Sequence, residues 1–356
     1  MILNQPEKFA ETDTQNMIAE IDGLPDQLAR AWELGSGLNL HYPETIQAVC
    51  IAGMGGSAIG GSLIQAYAAP YAPVPVVVHR GYGLPSWADG PGTLVIASSH
   101  SGNTEETLSA FQTAVERGCQ ILAVTTGGTL ADRAAERGTG LWTFNHTGQP
   151  RAAVGYSFGL LLAALARLDL IPNPAMELED AVQEMRDQQG SLLSEQPIAD
   201  NPAKRLAGQL VGRWVSIFGA EIMAPVARRW KGQLNELAKT WAQFGEIPEA
   251  DHNTLAGTLN PEEAILKTMT LFLQADSNHP RNRLRTELTK RSLMLEGLNT
   301  DFVPSRGETR LAQMWTGLHL GDYTAYYLAM SYGVDPSPVE VIEEFKKELN
   351  EVQDES

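Results

Sequence analysis

The chain has 356 residues, with 26 lysines and arginines against 43 aspartates and glutamates, a formal net charge of −17. At 43% hydrophobic and 19% charged residues it has the length and composition to bury a core across two domains. So strong a negative balance, with no run of basic residues, argues against a nucleic-acid partner. No apolar segment approaches the ~18 residues that would suggest a bilayer span, so no membrane contact is expected. The N-terminal MILNQPEKFAETDT lacks the basic-then-apolar pattern of a secretory leader. Cys50 and Cys119, the only cysteines, each sit in an apolar run and read as small core residues rather than a disulfide framework. The expectation is a soluble, cytoplasmic protein.

Residues 1–45 carry Met17, Ile18, Ile21, Leu24, Leu28 and Trp32 at spacings of roughly three or four, which predicts a helical extension that packs. From residue 46 the pattern changes. AVCIAGMGGSAIGG is a strand running into glycines and a helix, PVPVVVHR is a second β-rich run, and TLVIASSHSGNTEETLSAF is strand, turn and helix. CQILAVTTGGTLADRAAERG repeats that order, and the apolar helix Ala152–Leu170 closes the first domain, residues 46–170, before Pro172 and Pro174. Strands alternating with helices at this spacing predict a doubly wound parallel sheet. Residues 171–201 are acidic, with helical spacing between prolines, and read as a connector. Residues 202–356 alternate strand and helix again, which predicts a second α/β domain.

Two turns stand out. GMGGSAIGG, Gly53 to Gly61, follows a strand and opens a helix, where glycines let backbone N–H groups approach an anion and the helix dipole favours negative charge. It fails the dinucleotide fingerprint, because Ala58 stands where a glycine is required, and it has no Gly-Lys-Ser/Thr. Taken alone it is equally a tight turn without ligand. SSHSGNTEET, Ser98 to Thr107, puts Ser99, Ser101 and Thr104 around the next helix start, and these hydroxyls suit either a phosphate dianion or ordinary capping. Both turns would lie at the carboxyl edge of one parallel sheet, where open α/β folds bind ligands.

GMGGS, then S-x-SGNTxET, TTGG and PRAA, resembles the sugar-isomerase (SIS) domain family; with NELAK, EADHN, LGDY and the terminal DPSPVEVIEEFKK, it resembles the bifunctional phosphoglucose/phosphomannose isomerases. The resemblance covers about residues 47–349. It implies two doubly wound SIS-type domains with flanking helices, the second ending in a catalytic helix. It implies an aldose–ketose isomerase acting on glucose 6-phosphate and fructose 6-phosphate through ring opening and a cis-enediolate. By the same resemblance Gly56, Ser57, Ser99, His100, Ser101 and Thr104 hold the phosphate, Arg151 lies beside the reacting carbons and Glu236 is the base. His252 opens the ring, and Lys346 assists at the ring oxygen. It further implies a homodimer in which His252 reaches the partner's site.

The chemistry requires this set. A single carboxylate over two carbons can take a proton from one and return it to the other, a fixed cation stabilises the enediolate, and a histidine titrating near neutrality suits ring opening. The scheme calls for no metal and no organic cofactor. Two departures from the pattern bear on substrate and site: His100 stands where relatives often carry Tyr, and Val339 where some mannose-handling relatives carry Thr. His41, His79, His146, His279 and His319 show no metal-ligand spacing and read as structural. A phosphosugar-binding regulator without catalysis is the alternative. It does not require Glu236, His252 and Lys346, and residues 1–45 are too short and acidic for a helix-turn-helix.

Overall fold

The computed structural model describes residues 2–40, 42 and 44–353; His41 lies outside them. The N-terminal segment forms helices α1 (Phe9–Thr12), α2 (Met17–Asp22) and α3 (Leu24–Gly37). Asp13 holds the start of α2, its carboxylate accepting from the Met17 and Ile18 amides at 2.7 and 3.0 Å, where the helix leaves donors unpaired. Met17, Ile21, Leu24 and Leu28 are buried, as their spacing predicts, while Ile18 and Trp32 are half-buried.

The first sheet comprises β1 (Ala48–Ala52), β2 (Val76–His79), β3 (Thr93–Ser99), β4 (Gln120–Thr125) and β5 (Gly140–Thr143), all parallel in the order β2-β1-β3-β4-β5. Helices α4 (Gly55–Ala68), α5 (Glu105–Glu116) and α6 (Gly128–Arg137) make the connections. Every residue of β3 and β4 is buried, because helices cover both faces, and both strands therefore read as continuous apolar runs. The edge strand β5 escaped the sequence pattern: GLWT is four residues long and only partly covered, so it needs no apolar run.

Helix α7 (Val154–Arg167) is buried on nearly every face, packed against α3 and α4. A Cβ on Gly159 would stand 2.6 Å from the Ala31 Cβ, so glycine lets α3 and α7 approach. The helix ends at Arg167, and Asp169 is left-handed with φ 54°, so the chain turns before Pro172 rather than at it. Helices α8 (Ala175–Gln189) and α9 (Pro202–Leu210) follow, and α8 buries Leu178, Ala181, Val182 and Met185 against its neighbours. The stretch read as a connector therefore contributes one face of α8 to the core.

The second sheet runs β7-β6-β8-β9, again parallel, from β6 (Trp214–Ala220), β7 (Ala242–Ile247), β8 (Thr268–Gln274) and β9 (Asn299–Pro304). Its helices are α10 (Met223–Glu236), α11 (Glu262–Leu266) and α12 (Pro280–Leu295), followed by α13 (Arg310–Tyr332) and α14 (Glu340–Gln353). Helix α13 is buried along most of its length, and Trp315 meets Phe158 of α7 edge-on at 5.2 Å. Val49 of β1 and Val215 of β6 consequently belong to one apolar cluster, and the two sheets hold each other in place through it.

Candidate active site

In the first sheet the chain crosses over in opposite directions from β1 and β3, so the loops leaving these neighbouring strands part and open a crevice at their carboxyl ends. Both glycine- and serine-rich turns lie there. A Cβ on Gly56 would stand 2.7 Å from the Pro150 carbonyl oxygen and 3.3 Å from the Arg151 Cα, so only glycine allows that segment to rest on the turn. The His100 amide donates to Ser57 Oγ at 3.2 Å and joins the two turns. Ser99 Oγ accepts from the Gly102 amide at 3.1 Å and lies 2.9 Å from Thr104 Oγ1, while Ser101 Oγ accepts from the Asn103 amide at 3.2 Å. Thr126 braces the His100 carbonyl through its hydroxyl at 2.7 Å. Ser57 and Ser99 are buried and Ser101 is exposed, so the hydroxyls run from the interior to the surface. The equivalent loops of the second sheet carry Glu221 and Asp276, which repel an anion.

Arg151 lies in the turn Pro150–Ala152, 5% exposed, with its Nη1 3.8 Å from Glu236 Oε2. Its Nη2 donates to the Pro336 carbonyl at 2.7 Å and to that of Ser337, and its buried Nε has no acceptor. Burial draws the guanidinium below its ordinary pKa, against the opposing pull of Glu236. Glu236 ends α10, where the next residues turn away and leave its side chain 35% exposed. Gly55, Gly56, Arg151 and Glu236 line a cleft of about 280 Å³ together with Arg80, Arg228, Arg229 and Lys231. One carboxylate faces five cationic side chains, of which Arg229 is matched by the buried Asp322 at 2.8 Å and Arg228 by Glu246 at 3.9 Å. The cleft is built for an anionic ligand.

His252 and Lys346 do not join this cluster within one chain. His252 ends the short helix Glu249–His252 after β7 and is exposed; its neighbour Asp251 is tied to Arg285 at 3.0 Å and Thr289 at 2.7 Å on α12. Lys346 lies on α14, whose described side chains are all exposed from Glu340 to Leu349, including Val341, Ile342, Phe345 and Leu349. That helix leaves from the Pro336–Pro338 segment that receives Arg151, so its base is fixed at the site while its length stands clear. A groove of about 920 Å³ between the two includes Glu236, Lys239, Trp241, Val339 and Ile342.

Residues 199–349 match the family model for the C-terminal SIS domain of bacterial phosphoglucose isomerases. The chain is 39% identical over 342 residues to the bifunctional phosphoglucose/phosphomannose isomerase of Caldicellulosiruptor bescii, covering 95% of this chain and 100% of that one. It is 35% identical over 302 residues to the Aquifex aeolicus protein of the same name, covering 85% and 90%. The chain belongs to the bifunctional phosphoglucose/phosphomannose isomerase family. The fold agrees with that of the C-terminal domain of glucosamine-fructose-6-phosphate aminotransferase from Francisella tularensis, at TM-score 0.71 and 15% identity over 90% of this chain and 98% of that one.

Within this family frame, several residues at the site had no separate reading in the sequence. Lys239, in the quoted NELAK, donates to the Glu236 carbonyl at 2.5 Å and the Pro338 carbonyl at 2.7 Å, tying the end of α10 to the base of α14. Asp322, in LGDY, grips Arg229 of α10 with both carboxylate oxygens, at 3.1 and 2.8 Å. Arg80 and Arg228 carry no local signal, since only the fold brings the end of β2 beside α10. His146, read as structural, hydrogen-bonds to His100. Among the described residues no group of three His, Cys, Asp or Glu side chains is placed to hold a metal ion, and no helix is long and apolar enough to cross a membrane. Both cysteines are unpaired, and burial pushes the Cys50 thiol up to about 12.

Proposed function

We propose that the protein interconverts glucose 6-phosphate and fructose 6-phosphate, and accepts mannose 6-phosphate, as an aldose–ketose isomerase. The observation that carries this reading is the pairing of Glu236 with a buried, immobilised Arg151 beside two hydroxyl-rich turns. The phosphate docks on Gly56, Ser57, Ser99, His100, Ser101 and Thr104. Glu236 takes the C2 proton of the open-chain aldose, the hydroxyl proton passes from O2 to O1, and Glu236 returns its proton to C1. The Arg151 guanidinium, with its Nη1 held 3.8 Å from Glu236, faces the oxygen on which enediolate charge gathers, a preorganised stabilisation that develops with the transition state.

Ring opening needs a proton donor and acceptor that one chain does not bring to Glu236. In the proposed homodimer the partner supplies it through His252, and α14 delivers Lys346 to the ring oxygen. Two observations support this: His252 is exposed on an anchored segment, and α14 exposes Val341 and Phe345 at 79% and 63% on a face suited to a second copy. Val339 in the groove beside Glu236 is the position at which mannose and glucose epimers would be distinguished. The two unpaired thiols suit the cytoplasm, where these sugar phosphates serve glycolysis and gluconeogenesis.

The test is a coupled assay of glucose 6-phosphate formation from fructose 6-phosphate, with mannose 6-phosphate in parallel and Glu236→Gln as control. Turnover of both sugars that vanishes in the variant is expected. Binding of fructose 6-phosphate without turnover by the wild type would replace the isomerase with a phosphosugar-binding regulator.

A further inference from the structure

His100 sits in the middle of the serine-rich turn, and its ring does not stand alone. His100 Nε2 lies 2.9 Å from His146 Nδ1, and His146 Nε2 lies 3.2 Å from a carboxylate oxygen of Glu20 on α2. The two rings meet edge to face, with centroids 5.1 Å apart, walled by Phe144 and by Tyr156 of α7. The His146 side chain is 7% exposed, and a Cβ on Gly148 would stand 2.3 Å from a Glu20 carboxylate oxygen, so the chain after β5 closes tightly over the carboxylate. A line of three titratable groups from α2, the segment after β5 and the phosphate turn is therefore built into the first domain. None of the three lines the cleft around Arg151 and Glu236.

The hydrogen bonds fix the direction in which a proton travels. An ionised Glu20 accepts from His146 Nε2–H, which leaves the His146 Nδ1 lone pair to accept from His100 Nε2–H. His100 Nδ1, which has no partner among the described residues, is then the outer basic end of the line. A proton added there makes His100 an imidazolium. If its Nε2–H passes across the 2.9 Å bond to His146 Nδ1, the charge moves beside the Glu20 carboxylate while His100 remains neutral with its proton on Nδ1. The first step takes a proton from solvent and forms an N–H bond at Nδ1; the second breaks the His100 Nε2–H bond and forms one at His146 Nδ1.

We propose that Glu20, His146 and His100 form a proton relay that takes up one proton when a phosphate dianion binds, supplying positive charge behind a turn otherwise made of neutral donors. This deepens the isomerase reading and rests on its placement of the phosphate. The groups bracing the turn, Ser57, Asn103, Thr104, Thr125 and Thr126, are all uncharged. Without ligand the relay is neutral at His100: burial first, and then His146, hold its pKa down to about 4 against the opposing pull of Glu20. Glu20 is held below the usual carboxylate range chiefly by its hydrogen bond to His146, so the carboxylate that stabilises an imidazolium is already charged. Among the described residues, the charged and titratable groups facing the relay are these three, with Tyr156 at the side of His146. Glu20 and His146 act through His100 and are positioning residues.

The value of about 4 is that of the His100 ring, and each unit by which a bound dianion raises it is a tenfold preference of the dianion for the protonated form. The test is isothermal titration of fructose 6-phosphate at pH 6 in two buffers of different ionisation enthalpy, which counts protons taken up. Wild type, Glu20→Gln, which keeps a hydrogen-bonding side chain without charge, and His100→Tyr are compared, so the ligand's own titration cancels. Wild type is expected to take up nearly one proton more than either variant. Its affinity advantage is expected to be larger at pH 6 than at pH 8, with the loss in Glu20→Gln falling on KM rather than kcat. Equal proton uptake, or an affinity difference independent of pH, would overturn the relay and leave a purely structural contact. His100→Tyr keeps the test decisive if Glu20→Gln fails to fold. Absence of fructose 6-phosphate binding by the wild type would overturn the phosphate assignment itself, and the relay with it.

Discussion

Replacing Arg151 with methionine removes the guanidinium while keeping an unbranched side chain of similar reach. Arg151 Nη1 lies 3.8 Å from Glu236 Oε2, and a substrate oxygen that accepts a hydrogen bond from this guanidinium at about 2.9 Å sits about 4 Å from the centre of its positive charge. Two unit charges at about 4 Å interact by about 4 kcal/mol at an effective dielectric of about 20, or roughly a thousandfold in rate. The charge on the enediolate is largest in the transition state, so the loss should fall on kcat in the fructose 6-phosphate assay and leave KM nearly unchanged. Arg151 also anchors the Pro336 and Ser337 carbonyls, so circular dichroism and the thermal midpoint must first show that the variant is folded. Arg151→Lys keeps a charge but not the planar fork that reaches those carbonyls and the substrate together, and should fall between the two. A folded methionine variant whose kcat stays within about tenfold of wild type would refute electrostatic stabilisation by Arg151.

Three further outcomes are expected. Asp322→Ala leaves Arg229 buried without its partner and should lose about 3–5 kcal/mol in denaturant unfolding, whereas Arg229→Met with Asp322→Leu should come close to wild type; equal losses in both would be incompatible with an uncompensated charge as the cause. Burial raises the phenols of Tyr323, Tyr326 and Tyr327 well above their ordinary values, so the folded protein keeps protons that the unfolded chain releases. Stability is then fully present below about pH 10 and falls as the pH rises past it, and tyrosinate absorbance should appear together with loss of the fold rather than before it. If the partner supplies His252, mixing inactive Glu236→Gln and His252→Ala chains after dissociation should restore activity in hybrid dimers, approaching about one quarter of wild-type sites; no recovery despite proven subunit exchange would place His252 in its own chain's site.

The parallel architecture was readable in AVCIA, TLVIASS and QILAVT because buried strands with both faces covered must be apolar throughout, and glycine and serine turns punctuate them. The edge strands β5 and β9 were not, since a half-solvated edge of four to six residues makes no such demand. Glu236, Arg151, His252 and Lys346 were legible as candidates only through ordered motifs, because nothing in the residues flanking a helix carboxylate or an exposed lysine marks a role.

Spacing along the chain governs contacts within a turn or two, and so local periodicity is enough to specify helices, strands and the two hydroxyl-rich turns. Contacts across more than a hundred residues depend on how the sheets dock. The packing of α7 against α13 brings the Pro336 carbonyl to Arg151, and the position of α2 brings Glu20 to His146, 126 residues away in the chain. These partners share neither a helix face nor a strand register. Folding therefore supplies what sequence spacing does not encode: an arginine immobilised beside Glu236, and a histidine in the serine-rich turn linked through His146 to a carboxylate on another element.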